Sequence, residues 1–204
     1  LSASELQEAG HLAQCHVNIM QLIDHKEYKD YQSELKYLVT TTERIAAIAR
    51  QIDKIKDSGN TLILVDRIET GKLLQAELSN LFSLLSDKPD VAFVSGATKA
   101  TERKEHYDEV AEATNKIIIA TYGVAAVGIN IPRIFNLVLL EPGKSFVRVI
   151  QSIGRGIRRA EDKDFVQIWD ITSTCKFEKR HLTKRKAFYK EASYPFTVEK
   201  AEWQ

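Results

Sequence analysis

The chain has 204 residues, with 29 Lys and Arg against 28 Asp and Glu for a formal net charge of +1, and 44% of its residues are hydrophobic. That length holds one medium α/β domain with further elements, and the balanced total charge argues neither for nor against a polyanionic partner. No run approaches the length of an apolar membrane span and no charged-then-apolar leader opens the chain, while Cys15 and Cys175 lie far apart without Cys-x-x-Cys or paired His spacing, so the composition reads as a reduced, cytoplasmic protein with no membrane partner and no structural zinc.

The chain opens at Leu1 and its one methionine is Met20, which reads as a piece of something longer. Along it, Thr40 followed by Glu43 has the form of a capping box. Ile45, Ile48, Ile52 and Ile55 then recur at helical spacing, and Ser58-Gly59-Asn60 stops the helix. A strand is expected over Thr61–Val65, and after it an amphipathic helix carrying Leu73, Leu74, Leu78, Leu81, Phe82 and Leu85. The alternation continues with a strand at Val91–Val94, a charged helix at Thr101–Ala113, a strand at Lys116–Ala120 and a short helix at Gly123–Val127. Asn136–Leu140 reads as a strand, Phe146–Ile153 as a helix and Phe165–Asp170 as a strand. Short apolar strands separated by helices predict βαβ units and a parallel sheet covered on both faces. Thr174 to Gln204 reads as a basic helical extension, with seven bases against Glu178 between Lys176 and Lys190 and with Phe188 and Tyr189 interleaved. Such interleaving favours nucleic-acid contact.

In open parallel sheets, ligands sit past the carboxyl ends of the strands. The residues expected there are Asp66-Arg67, Ser95-Gly96, Ala120-Thr121 and Glu141-Pro142-Gly143. Thr121 ends a strand where its hydroxyl and the following amides suit a phosphate, and Gly128-Ile129-Asn130-Ile131-Pro132 places a short amide beside a rigid turn. Three look-alikes fail. Gly143-Lys144-Ser145 lacks the earlier glycine of a phosphate loop, because position 138 is valine. Gly71-Lys72 fails in the same way, and Asp108-Glu109 falls inside a charged helix instead of at a strand end. The five histidines show no metal spacing and no nucleophile nearby.

The most informative stretch is Gln151-Ser152-Ile153-Gly154-Arg155-Gly156-Ile157-Arg158. Arg155 and Arg158 are one helical turn apart and share a face, and a planar guanidinium suits phosphate oxygens better than an ammonium does. Gly154 and Gly156 each cost about 1 kcal/mol inside a helix, which implies close approach of a ligand or a facing domain to the backbone.

These residues carry a resemblance. Gln151 to Arg158 resembles motif VI of superfamily 2 helicases, and Thr121 to Pro132 resembles their motif V. Leu62–Arg67 is similar to motif IV, and Val94-Ser95-Gly96 with Arg103 to the segment after it. The resemblance covers residues from about 40 to 172 in the family's order. It implies a second, C-terminal RecA-like domain: a parallel α/β sheet with helices on both faces, here over 41–173, preceded by a connection (1–40) from a missing motor domain and followed by the extension at 174–204.

By the same resemblance, Arg155 and Arg158 would meet the γ-phosphate of ATP, with Arg158 as the arginine finger. Gln151, Gly128 and Asn130 would face the nucleotide, and Arg67, Ser95, Gly96 and Thr121 the nucleic-acid backbone. Asn130 stands where many relatives have aspartate. The basic tail adds Lys184, Arg185, Lys186 and Lys190 as candidate phosphate contacts. ATP with Mg2+ would be held mainly by the absent first domain, so this stretch alone is expected to lack ATPase activity. The implied activity is that of an ATP-dependent DNA helicase or translocase on branched or single-stranded DNA, in recombination, repair or fork processing. The alternatives are a non-enzymatic nucleic-acid-binding module, an RNA helicase domain, and an unrelated ATPase lending arginines in trans.

Overall fold

The computed structural model describes residues 14–129, 131, 133–143, 146, 149–151 and 165–204. Its elements in chain order are β1 (Gln14–Ile23), α1 (Tyr31–Thr40), α2 (Thr42–Asp53), β2 (Thr61–Val65), α3 (Ile68–Phe82), β3 (Val91–Val94), α4 (Ala100–Glu112), β4 (Ile117–Thr121), α5 (Tyr122–Ala126), β5 (Asn136–Leu140), β6 (Phe165–Ser173), α6 (Lys176–Glu191) and β7 (Phe196–Glu202). Phe146, Val149, Ile150 and Gln151 are also helical, as the reading of Phe146–Ile153 requires where residues are described.

Among the described residues the strands form one sheet in the order β3-β4-β2-β5-β6-β1-β7, every pairing parallel. The period-two geometry of a strand sends alternate residues to opposite faces. Leu62, Leu64, Ile118, Ala120, Leu137 and Leu139 enter one core with Val124 and Ala125 of α5 and Leu182 and Tyr189 of α6. Ile63, Val65, Ile117, Ile119, Val138 and Leu140 enter the other with Ile45, Ile48 and Ile52 of α2 and Leu74, Leu78 and Phe82 of α3. A strand buried on both sides must be apolar throughout, which is why these segments read as unbroken Ile, Leu and Val runs. Gly71 is used for room: a Cβ there would stand 2.2 Å from Cε2 of Phe93, so only glycine lets α3 approach β3. This accounts for Gly71-Lys72 without any phosphate loop.

Three features differ from the sequence reading. Residues before 41 include β1, which lies between β6 and β7 inside the sheet, so the folded unit reaches back at least to Gln14. The tail is helical over Lys176–Glu191 and then adds the edge strand β7. The capping box at Thr40 does not form, because a helix already precedes it: Thr40 ends α1 and its hydroxyl donates to the Lys36 carbonyl at 2.5 Å. Thr41 is the N-cap of α2, and its hydroxyl turns back to the Tyr37 carbonyl instead of capping. Asp108 pairs with Lys104 at 2.7 Å and Glu109 with Lys116 at 2.8 Å, so both belong to a salt-bridged helix face. No helix among the described residues is long and apolar enough to cross a membrane.

Candidate nucleic-acid and nucleotide edge

Parallel register aligns the strand ends. Val94 pairs with Ala120, Val65 with Thr121 and Leu64 with Leu139, so Ser95, Thr121, Asp66 and Glu141 fall along one edge. With neighbouring strands about 4.8 Å apart, the ends of β3, β4 and β2 span roughly 10 Å.

Each position is held locally. Arg67 is the N-cap of α3, and its side chain is 33% exposed beside Asp66 at 3.2 Å, which leaves the guanidinium accessible. Ser95 is buried and its hydroxyl accepts the Ala97 N–H, while Arg103 donates to the carbonyls of Ser95 and Thr98. Ser95 therefore braces the turn, and the exposed Gly96, with nothing within 4 Å of a notional Cβ, presents it. Thr121 caps α5, its hydroxyl oxygen accepting the Val124 N–H at 3.4 Å. Gly128 has φ 106 with open space around it. In that left-handed region a side chain is strained, and an outside group can approach the backbone. Gln151 is half-buried on its helix. Asn130, Arg155 and Arg158 lie outside the described residues. Between the loops, Arg67, Tyr122, Glu141, Gly143, Tyr31 and Phe146 help line a cavity of about 300 Å³.

The other half of the same edge is filled by buried charge that the sequence reading did not anticipate. Arg44 of α2 is fully buried; its Nε and Nη2 donate to Asp24 at the end of β1, and its Nη1 donates to Glu141 at 2.6 Å. The Asp24 carboxylate also accepts from Ser173, Tyr37 and Trp203. One guanidinium thus serves two carboxylates. Burial, with Glu178 and Asp24 adding to it against the pull of Arg44, pushes Glu141 up to about 8. Burial opposes the charge on Arg44, but Glu141 and Asp24 outweigh it, and the net shift is upward. A legible signal existed: Arg44 stands four residues before Ile48 on the apolar stripe of its helix, where a charge needs a buried partner.

Arg185 is a correction. It is 2% exposed, donates from Nε and Nη2 to Asp170 at 2.8 and 3.0 Å, and donates from Nη1 to the Pro142 carbonyl. A guanidinium so enclosed does not meet a phosphate. The interleaved aromatics are likewise internal: Tyr189 is fully buried with its hydroxyl on Asp170, and Phe188 packs edge-on against Phe146. Lys184 and Lys190 are exposed and Lys186 half-exposed on the outer side of α6. The helix divides its bases because Glu178, His181, Leu182, Arg185 and Tyr189 recur at spacings of three and four and face inward.

A parallel sheet with helices on both faces, presenting polar and glycine residues at adjoining strand ends, defines a nucleotide-handling or nucleic-acid-handling α/β domain. The comparisons narrow that class. Residues 43–160 match the family described as the helicase conserved C-terminal domain, and the chain belongs to that family. The ATP-dependent DNA helicase uvsW of Enterobacteria phage T4 is 27% identical over 198 residues, spanning 92% of this chain and 38% of that protein. Putative helicase 22 of Sulfolobus islandicus filamentous virus (isolate Iceland/Hveragerdi) is 30% identical over 158 residues, 76% of this chain and 27% of that protein. The crystal structure of T4 UvsW superposes with a TM-score of 0.78 at 22% identity, covering 93% of this chain and 42% of that one. Domain 2 of the DEAD-box helicase Mss116p, bound to an RNA duplex, superposes with a TM-score of 0.62 at 15% identity, covering 91% and 64%. The fold is thus RecA-like, and the chain spans well under half of either helicase's sequence.

Proposed function

We propose that this chain is the second motor domain of an ATP-dependent DNA helicase or translocase acting on single-stranded and branched DNA, in recombination, repair or fork processing. The observation that carries the reading is the edge at the ends of β3, β4 and β2, where Gly96, Thr121 and Arg67, all within the residues that match the family, stand side by side. The likeness to an ATP-dependent DNA helicase supports DNA over RNA.

The chemistry follows from what each group can do. Arg67 supplies a charge-assisted donor to a phosphate, and the exposed turn at Gly96 lets a backbone come close. The open, left-handed backbone at Gly128 fits a ligand lying against it, and Gln151 would link that side to the nucleic-acid track. Asn130 joins them by resemblance. Bound MgATP, held mainly by the partner motor domain, supplies the phosphoryl transfer that drives the cycle. Arg155 and Arg158 of this chain would be carried onto the charge that develops at the γ-phosphate when the two domains close. Closure and reopening then move phosphates across Arg67, Gly96, Thr121 and the outward lysines Lys184, Lys186 and Lys190.

The test is DNA-stimulated ATP turnover of the full-length protein. Arg158→Ala is expected to lower it by roughly 10³–10⁵ while DNA affinity in the open state changes little. Arg158→Lys should restore little, since it keeps the charge but loses the planar fork. Arg159→Ala, one residue further along the chain, should be mild. Equal damage at Arg159, or near-normal turnover with lysine, refutes the finger assignment. Stimulation by RNA but not DNA oligonucleotides refutes the substrate, and no preference for branched over linear duplexes refutes the branched-DNA reading.

A further inference from the structure

A second cationic surface lies on the same edge of the sheet, beyond β5. The loop from Asp24 to Lys29 and the first turns of α6 enclose a cleft of about 1140 Å³. Lys26, Lys29, Lys176, Lys179 and Arg180 line it. On α6 the lining positions are 176, 179, 180 and 183, one helical stripe pointing away from the inward face that holds Arg185.

Among the described residues none of the five makes an ion pair with a carboxylate. Of the acids in the wall, Asp24 is committed to Arg44, and only Glu27 remains. Uncompensated clustered cations raise the free energy of the folded chain by mutual repulsion, so a polyanion is the complement that fits.

The cleft is also built and held open. Asp24 N–H donates to the Thr174 hydroxyl, that hydroxyl donates to the Asp24 carbonyl, and Cys175 Sγ donates to the Lys26 carbonyl, which together fasten the loop to the start of α6. Phe177 lies beneath two of the cations, with Lys176 Nζ and Arg180 Cζ each 5.5 Å from its ring centre. Of the aromatic residues it is Tyr28 that lines the cleft, and it rests on Tyr37 at 5.5 Å. Cations beside aromatic surface in a prearranged groove are the combination that holds a single nucleic-acid strand.

We propose that this cleft is a second nucleic-acid site, taking the sugar–phosphate backbone of a single strand after it leaves the β3-β4-β2 edge. From the end of β4 to the end of β1 is four strand steps, about 19 Å. The identity of the strand rests on the motor reading above; the binding itself rests on the charge and shape of the cleft. The contact continues the track past the buried Arg44–Asp24–Glu141 cluster, which offers no free charge of its own.

The experiment is fluorescence anisotropy of fluorescein-labelled dT20 and rU20 on the full-length protein over a range of NaCl concentrations. The variant Lys26→Gln, Lys29→Gln, Lys176→Gln, Lys179→Gln, Arg180→Gln should lower affinity at least tenfold and reduce the log–log salt slope by about 0.7 for each phosphate that is no longer neutralised. Should five changes compromise folding, Lys176→Gln with Lys179→Gln, both exposed, should still lower the slope by roughly 1.4. Lys54→Gln with Lys88→Gln, at the opposite edge, is the charge-matched control and should leave the slope as it is. A groove variant indistinguishable from that control overturns the proposal. Weaker binding of dT20 alone assigns DNA, weaker binding of rU20 alone assigns RNA, and equal weakening assigns the shared backbone. ATP turnover indifferent to DNA in the unmodified protein would refute the motor reading instead, leaving the anisotropy comparison to decide the cleft.

Discussion

The carboxyl edge of this sheet has two halves that use the same side-chain chemistry for opposite ends. Under β5, β6 and β1, Arg44 and Arg185 are enclosed and fully engaged by Asp24, Glu141 and Asp170. At β3, β4 and β2, Arg67 has one partly exposed neighbour and Gly96 opens to solvent. A buried guanidinium with matched carboxylates fixes where elements sit relative to each other; an exposed one with spare donors is available to a ligand. The difference lies in the partners and in desolvation, not in the residue type. The basic run of α6 shows the same division within one helix, with Arg185 inside and Lys179, Arg180, Lys184 and Lys190 outside.

Removing a buried cation should do the most damage. Arg44→Ala leaves Asp24 enclosed without a counter-charge and Glu141 without its donor, and Arg185→Ala leaves Asp170 uncompensated; each is expected to cost roughly 3–5 kcal/mol. Urea unfolding measures this, and a decrease below about 1 kcal/mol at either position would mean that the two halves do not differ as described.

A smaller effect, read through pH, sharpens the buried half. Glu141 has its carboxyl raised from 4.5 to about 8 by burial, so the folded chain keeps a proton there that the unfolded chain releases. Stability should therefore fall as pH rises from about 4.5 to about 8, and level off above. Glu141→Gln cannot titrate and should flatten that part of the curve, to be followed by melting temperature against pH. An unchanged slope in the variant would place the titration elsewhere.

The smallest expected change in stability is at the open half. Arg67→Ala should stay within about 0.5 kcal/mol of the parent, while the salt slope of DNA binding drops by about 1. Reduced stability without any change in slope would make Arg67 a structural residue like Arg44.

Much of the architecture was legible because it is local. Runs such as Leu62–Val65 and Ile117–Ala120 are apolar at every position, which only a strand covered on both sides requires, and the leucine and isoleucine spacings of α2 and α3 give their buried stripes. The spacing of Gln151, Gly154, Arg155 and Arg158 pointed to the family that residues 43–160 match. Strand ends followed from strand positions, so Arg67, Gly96 and Thr121 could be placed on one edge before their neighbours were known.

Other features depend on what packs against what, and no local pattern contains that. β1 alternates polar and apolar residues and reads as mixed sequence; its place between β6 and β7 comes from partners some 150 and 180 residues away in the chain. Glu34 shows the same dependence, since its carboxylate accepts the N–H groups of Phe177 and Glu178 at the start of α6. The sequence by itself determined the strands from β2 to β6, the helices between them and the order of the edge residues, because these follow from period and spacing along the chain. Only the tertiary structure decided which arginines are sealed and which are free, because that depends on whether a carboxylate from a distant strand end arrives within hydrogen-bonding distance as water is excluded.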